Sequence, residues 1–175
     1  MAFWFSGKGT QQCVSFFYAL LHKSCTIIAR AFHFGDRLTA VCYKQKSAGG
    51  AVMFIRFNEN PTGRFVGDCA VRAVSLALRT SWEKAFEMLA ENAFMMGDMP
   101  SSDSVWGATL RQHGFRREAI KNTCPDCYTV ADFAEDHPKG TYVLKTDQHV
   151  TTVIDGDVYD SWNTSDEVPQ YYWRR

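Results

Sequence analysis

Apolar and polar positions follow two periods along this chain, and the change of period falls past its middle. Residues 54–57 read as a short strand, and Met53 looks like the beginning of an ordered domain. Residues 58–67 carry two Asn, one Pro and two Gly, a composition that favours loop. From Cys69 to Leu78, Val71, Val74 and Leu78 with Ala70, Ala73 and Ala77 form one apolar helical face, and Asp68 precedes it as a candidate cap. Thr80 and Glu83 have capping-box spacing for a second helix over 81–94, with Trp82, Phe86 and Leu89 on its buried stripe. Residues 100–102 precede a third helix running to His113, where Gly114 is a left-handed stop. Residues 115–120 have the look of a strand, and Thr129 with Asp132 starts a short helix ended by Pro138 and Gly140. The period then falls to two. Residues 142–144, 149–154 and 158–162 read as strands, the last two joined by the tight-turn signal Asp155-Gly156. Helices first and an antiparallel sheet last predict the α+β class, with the helices packed on a C-terminal sheet.

Composition narrows this little, because 46% apolar and 22% charged residues are ordinary globular values. The 175 residues amount to about one domain. Charge is more informative. Lysine plus arginine and aspartate plus glutamate both number 19, so the formal net charge is zero, and no cationic surplus marks a nucleic-acid binder. That zero is uneven. Residues 1–52 hold six basic groups and one acid, a balance of +5, and residues 53–175 hold 13 basic and 18 acidic residues, a balance of −5. The first segment shows no regular period and is read as an irregular basic N-terminal extension; the second is the functional domain. Its apolar run at 14–21 is short for a secretory core and lacks a cleavage site, and a transit peptide fits only in part. No stretch reaches the ~20 apolar residues of a membrane span. The six cysteines, in a chain long enough to bury a core unaided, read as mostly free thiols of a reducing, cytoplasmic setting.

Cys69 is the most informative of the six. Gly67-Asp68 delivers it to the first turn of a helix. Unpaired N–H groups and partial positive charge there favour a thiolate and can stabilise an oxyanion. A buried structural cysteine is the plain alternative. His149, opening a strand, is a candidate base brought near by folding. If Asp155-Gly156 is a two-residue turn, Ile154 pairs with Asp157, His149 faces Trp162, and Asp160 shares the face of His149. Asp160 could then orient the imidazole and Trp162 could cover the bond between them. A bulge would shift the register and bring Asn163 into competition.

These residues resemble the papain-like cysteine peptidase superfamily. Gly67-Asp68-Cys69-Ala70 opens a helix, His149-Val150 opens a later strand, and Asp160-Ser161-Trp162 ends the next, much like the Asn-Ser-Trp of papain with Asp for Asn. The likeness extends to small uncharacterised proteins of gut bacteria and their phages, and covers about residues 53–173. It implies a Cys69–His149–Asp160 triad acting on a peptide or protein substrate, without cofactor. The family's oxyanion Gln, six residues before the nucleophile, is replaced by Gly63. Asn60 is the nearest upstream amide that could substitute, with Asn58 behind it, although turn chemistry beside Pro61 explains Asn60 equally well.

Two other readings keep this framework. The same triad could serve an amine acceptor, as in transglutaminase-like or arylamine acetyltransferase-like enzymes, or the scaffold could be a decayed interaction module. Cys124-Pro125-Asp126-Cys127 supplies only two of the four ligands of a structural zinc site, with His113 and His137 as the nearest completing candidates. Trp106, on the third helix, reads as packing.

Overall fold

The computed structural model describes residues 52–120 and 127–175, together with two strands nearer the N-terminus. Those strands are β1 (Ile27–Phe34) and β2 (Arg37–Lys44), paired antiparallel with Ile27 opposite Lys44 and Phe34 opposite Arg37. A stretch read as irregular therefore contains a ladder. Both eight-residue runs are rich in the branched and aromatic residues that suit a pleated surface. Mixed small and basic positions hide that preference from a search for a clean period. The apolar run at 14–21 lies outside the described residues.

The remaining elements are β3 (Phe54–Arg56), α1 (Cys69–Leu78), α2 (Trp82–Met96), α3 (Asp103–Gln112), β4 (Arg116–Ala119), α4 (Val130–Asp136), β5 (Thr141–Lys145), β6 (Val150–Ile154), β7 (Asp157–Asp160) and β8 (Tyr171–Arg174). Among the described residues the class is α+β, with four helices and a six-stranded sheet of order β3-β7-β6-β5-β8-β4. The sheet is mixed rather than antiparallel, because β3 runs parallel to β7. The helices lie between those two strands in sequence and supply the long crossover that parallel pairing requires. β8 is the unexpected strand. Its four residues slot between β5 and β4, Trp173 facing Val143 on one side and Arg117 on the other.

Alternation along the strands sends side chains to two cores. Val143, Val150 and Trp173 join α1, α2 and α3 in one cluster, around fully buried Val74, Leu89, Trp106 and Leu110. Leu144, Val153 and Val158 meet Val130, Phe133 and Ala134 of α4 in the other. Helices thus cover both faces, with α1 packed on β5 and β6.

Local signals explain most boundaries. Thr129 and Asp132, read as the start of a short helix, form a capping box at α4. The cap of α2 shifts by one residue: Ser81, not Thr80, accepts the Lys84 N–H at 3.2 Å. Gly114 takes the expected positive φ, at 85°. Between β6 and β7, Asp155 and Gly156 have φ of 50° and 77°, the backbone of a two-residue hairpin turn, and Ile154 pairs with Asp157 as the turn dictates.

Candidate active site

Three elements meet at the front of α1. Cys69 is the first residue of that helix, delivered by a tight turn in which the Asp68 N–H donates to the Val66 carbonyl at 2.7 Å. Asp68 occupies the N-cap position but its carboxylate does not cap the helix. It turns instead to the Trp82 indole N–H at 2.9 Å, the Asn60 amide at 3.4 Å and, most closely, the Arg72 guanidinium. The backbone N–H of Ala70, in the first turn, turns to the thiol.

His149 stands in the turn between β5 and β6, immediately before Val150. The turn is pinned by the Thr146 N–H donating to the His149 carbonyl at 3.0 Å. Buried Lys145 ties its far side, donating Nζ to the carbonyls of Thr146, at 2.7 Å, and Asp147. Asp160 ends β7, directly across the hairpin. His149 Nε2 lies 2.6 Å from Asp160 Oδ2, and the other carboxylate oxygen accepts the Ser161 N–H at 2.7 Å. The same imidazole acts on the Cys69 thiol, whose pKa its hydrogen bonding and charge lower. The structure thus brings Cys69, His149 and Asp160 together on the hairpin register read from Asp155-Gly156. Asn163, the competitor under a bulge, is exposed and accepts the Ser165 N–H at 3.1 Å.

The electrostatics follow from this arrangement. Burial opposes the Cys69 thiolate, but the hydrogen bond and charge of His149, with the backbone N–H groups of Val150 and Ala70, outweigh it and lower the thiol's pKa. Burial likewise opposes the His149 imidazolium. The Asp160 and Cys69 hydrogen bonds and charges overcome that penalty and push its pKa up to about 9. Each partner favours the charged form of the other.

The secondary candidates fall into place around it. The Trp162 ring lies 5.2 Å from the His149 ring, tilted by 47°. It is 47% exposed, so it shelters one side of the imidazole while Asp160 beneath is almost fully buried. Asn60 sits at the edge of the site. Its amide donates to Asp68, and its side-chain oxygen accepts the Thr62 N–H at 3.0 Å and the Thr62 hydroxyl at 2.7 Å.

Of the weak zinc pair, Cys124 lies outside the described residues and Cys127 is exposed. His113 Nδ1 and His137 Nδ1 each bond a carbonyl of their own helix at 2.8 Å. No group of three or more potential metal ligands occurs among the described residues. Trp106 is fully buried with its indole N–H on Asp103, a packing residue as expected. Among the described residues no helix is long and apolar enough to cross a membrane.

Arg72 is the site residue that the sequence reading missed. It is buried on α1, reaching Asp68 with one nitrogen and Asp160 Oδ1 at 3.5 Å with another. A lone arginine inside an otherwise apolar helix was the available signal, since a buried charge requires a partner. Neither a family model, nor a curated protein, nor a solved structure matches the chain.

Proposed function

We propose that the protein is a papain-like cysteine peptidase that cleaves peptide or isopeptide bonds. One observation carries the reading: a single imidazole lies 2.6 Å from a buried carboxylate and lowers the pKa of a helix-start thiol, each group from a different element. A nucleophile at the front of a helix, packed against strands that carry the base and its orienting acid, supports the papain-like assignment.

In this mechanism the Cys69 thiolate attacks the scissile carbonyl carbon, and its electron pair moves onto the carbonyl oxygen. The Cys69 backbone N–H, in the first turn of α1, donates to that oxyanion. As the tetrahedral adduct collapses, the His149 imidazolium gives its proton to the departing amine and a thioester remains. Neutral His149 then takes a proton from water, the resulting hydroxide adds to the thioester, and thiolate and imidazolium are regenerated with the free acid. Asp160 holds the ring throughout and stays ionised.

Cys69 should be alkylated by iodoacetamide at neutral pH faster than exposed Cys127, and His149→Ala should abolish the advantage. Mapping the labelled cysteine in the full chain, alongside cleavage of a fluorogenic peptide mixture, tests both steps. Equal labelling of the two thiols, unchanged by His149→Ala, would sink the proposal.

A further inference from the structure

Arg72 stands in a buried, largely apolar stretch of helix. Its neighbours on α1, from Ala70 to Ala77, are all buried. A guanidinium taken out of water is stabilised only by good partners, and replacing such a pair with apolar groups is often neutral or favourable. Here one donor, Arg72 Nε, is buried without any hydrogen-bond partner. The charge is therefore not explained by packing.

Its two carboxylate contacts do explain it. Asp160 uses Oδ2 for His149, while Oδ1 takes Arg72 at 3.5 Å and the Ser161 N–H at 2.7 Å. Anchored at both oxygens, the carboxylate cannot rotate away from the imidazole. The far side of the guanidinium is held by Asp68, itself fixed by the indole N–H of Trp82 and the amide of Asn60. We infer that Arg72, with Asp68 as its counterweight, is a positioning residue that acts through Asp160: it competes for the carboxylate's charge and so sets how firmly His149 keeps its proton. This rests on the peptidase reading for its purpose but not for its physics.

The charged groups facing this cluster are few. Cys69 and Arg72 come from α1, Asp68 from its N-cap, His149 from the turn before β6 and Asp160 from β7, while buried Lys145 at the end of β5 gives its ammonium to the Thr146 and Asp147 carbonyls. On β3, Arg56 is the cross-strand neighbour of Asp160, but it is exposed and its guanidinium lies over Phe65. Glu59 in the loop and Glu83 on α2 act on each other at the rim. Arg72 is thus the buried cation nearest Asp160 besides His149, and Asp68 is its counterweight.

The signs follow. Removing the Arg72 charge leaves Asp160 a stronger partner for the imidazolium, so His149 should keep its proton to higher pH. Removing the Asp68 charge frees Arg72 to act on the site, so His149 should lose its proton at lower pH. The experiment is an NMR titration of the His149 ring in the full chain, comparing the parent with Arg72→Met, Asp68→Asn and the double variant. Roughly half a pH unit is expected in each single variant, in opposite directions, with the double variant returning near the parent. Shifts in the same direction, or none, would overturn the inference. If Arg72→Met does not fold, Asp68→Asn against the parent decides the sign, a move to higher pH or no move overturning the inference. Iodoacetamide labelling of Cys69 in the parent separates the two ideas: inert Cys69 with moving midpoints removes the peptidase reading alone, and reactive Cys69 with fixed midpoints removes the positioning role alone.

Discussion

The proton on His149 decides what the site can do at a given pH. It is held to about 9 although burial works against it, because Asp160 and Cys69 both favour the charged ring. The alkylation rate of Cys69 should rise on the acid side at the thiol's lowered pKa and change again near pH 9, as the imidazolium is lost. In Asp160→Asn the alkaline transition should fall back toward the ordinary histidine value of about 6.5, with hydrolysis reduced by roughly a hundredfold or more. A pH series of labelling and cleavage in both proteins measures this. Stability carries the same sign. A folded-state value above the unfolded one means that His149 stabilises the fold fully below about pH 6.5 and loses that contribution as pH rises through about 9. At this scale Cys69, His149 and Asp160 were legible because each sits at an element boundary with its own signal: a Gly-Asp turn, a strand start, a hairpin register. Arg72 was not, because Asp160 is 88 residues away and only folding makes it a neighbour, while the i,i+4 pairing with Asp68 alone reads as an ordinary helical ion pair.

Helix starts and close approaches govern the elements. The bond from Ser81 to the Lys84 N–H predicts that Ser81→Ala costs about 1 kcal/mol of stability, while Thr80→Ala costs clearly less, as measured by urea unfolding. Gly107 tests packing in α3. A β-carbon there would lie 2.9 Å from the buried Trp173 ring. Alanine favours helix over glycine by about 1 kcal/mol, but a rigid indole in a filled core cannot retreat, so the clash decides the sign. Gly107→Ala should destabilise the protein by about 1–3 kcal/mol, read from the same unfolding curves. The long helices and the β6–β7 hairpin were readable because their periods repeat or their turn residues are distinctive. β8 was not, since four residues following Pro169 hold too little pattern. The parallel direction of β3 is likewise set by its partner a hundred residues away, which no local signal encodes.

At the level of the molecule, the sheet is assembled from distant parts of the chain. The α+β class and the packing of helices on strands were visible in the order of periods, but the mixed direction and the second covered face were not. The Met53 N–H reaches Asp157 Oδ1 at 3.1 Å across 104 residues, and the Phe57 N–H reaches the Asp160 carbonyl at 2.6 Å. Contacts of such separation close large loops before any packing offsets the entropy, which makes folding slow relative to local helix formation. The chain therefore passes through a period in which α1 can form while the thiol lacks its base. On the proposed peptidase reading, Cys69 would then have the reactivity of an ordinary cysteine, and it would become a nucleophile only when residues made long after it arrive as the β6–β7 hairpin. Pulse alkylation during refolding should find Cys69 gaining its neutral-pH reactivity together with sheet formation and never ahead of it. On that reading the thiol would be safeguarded by time: the order in which the chain is laid down would keep it disarmed until the rest of the fold is there to aim it.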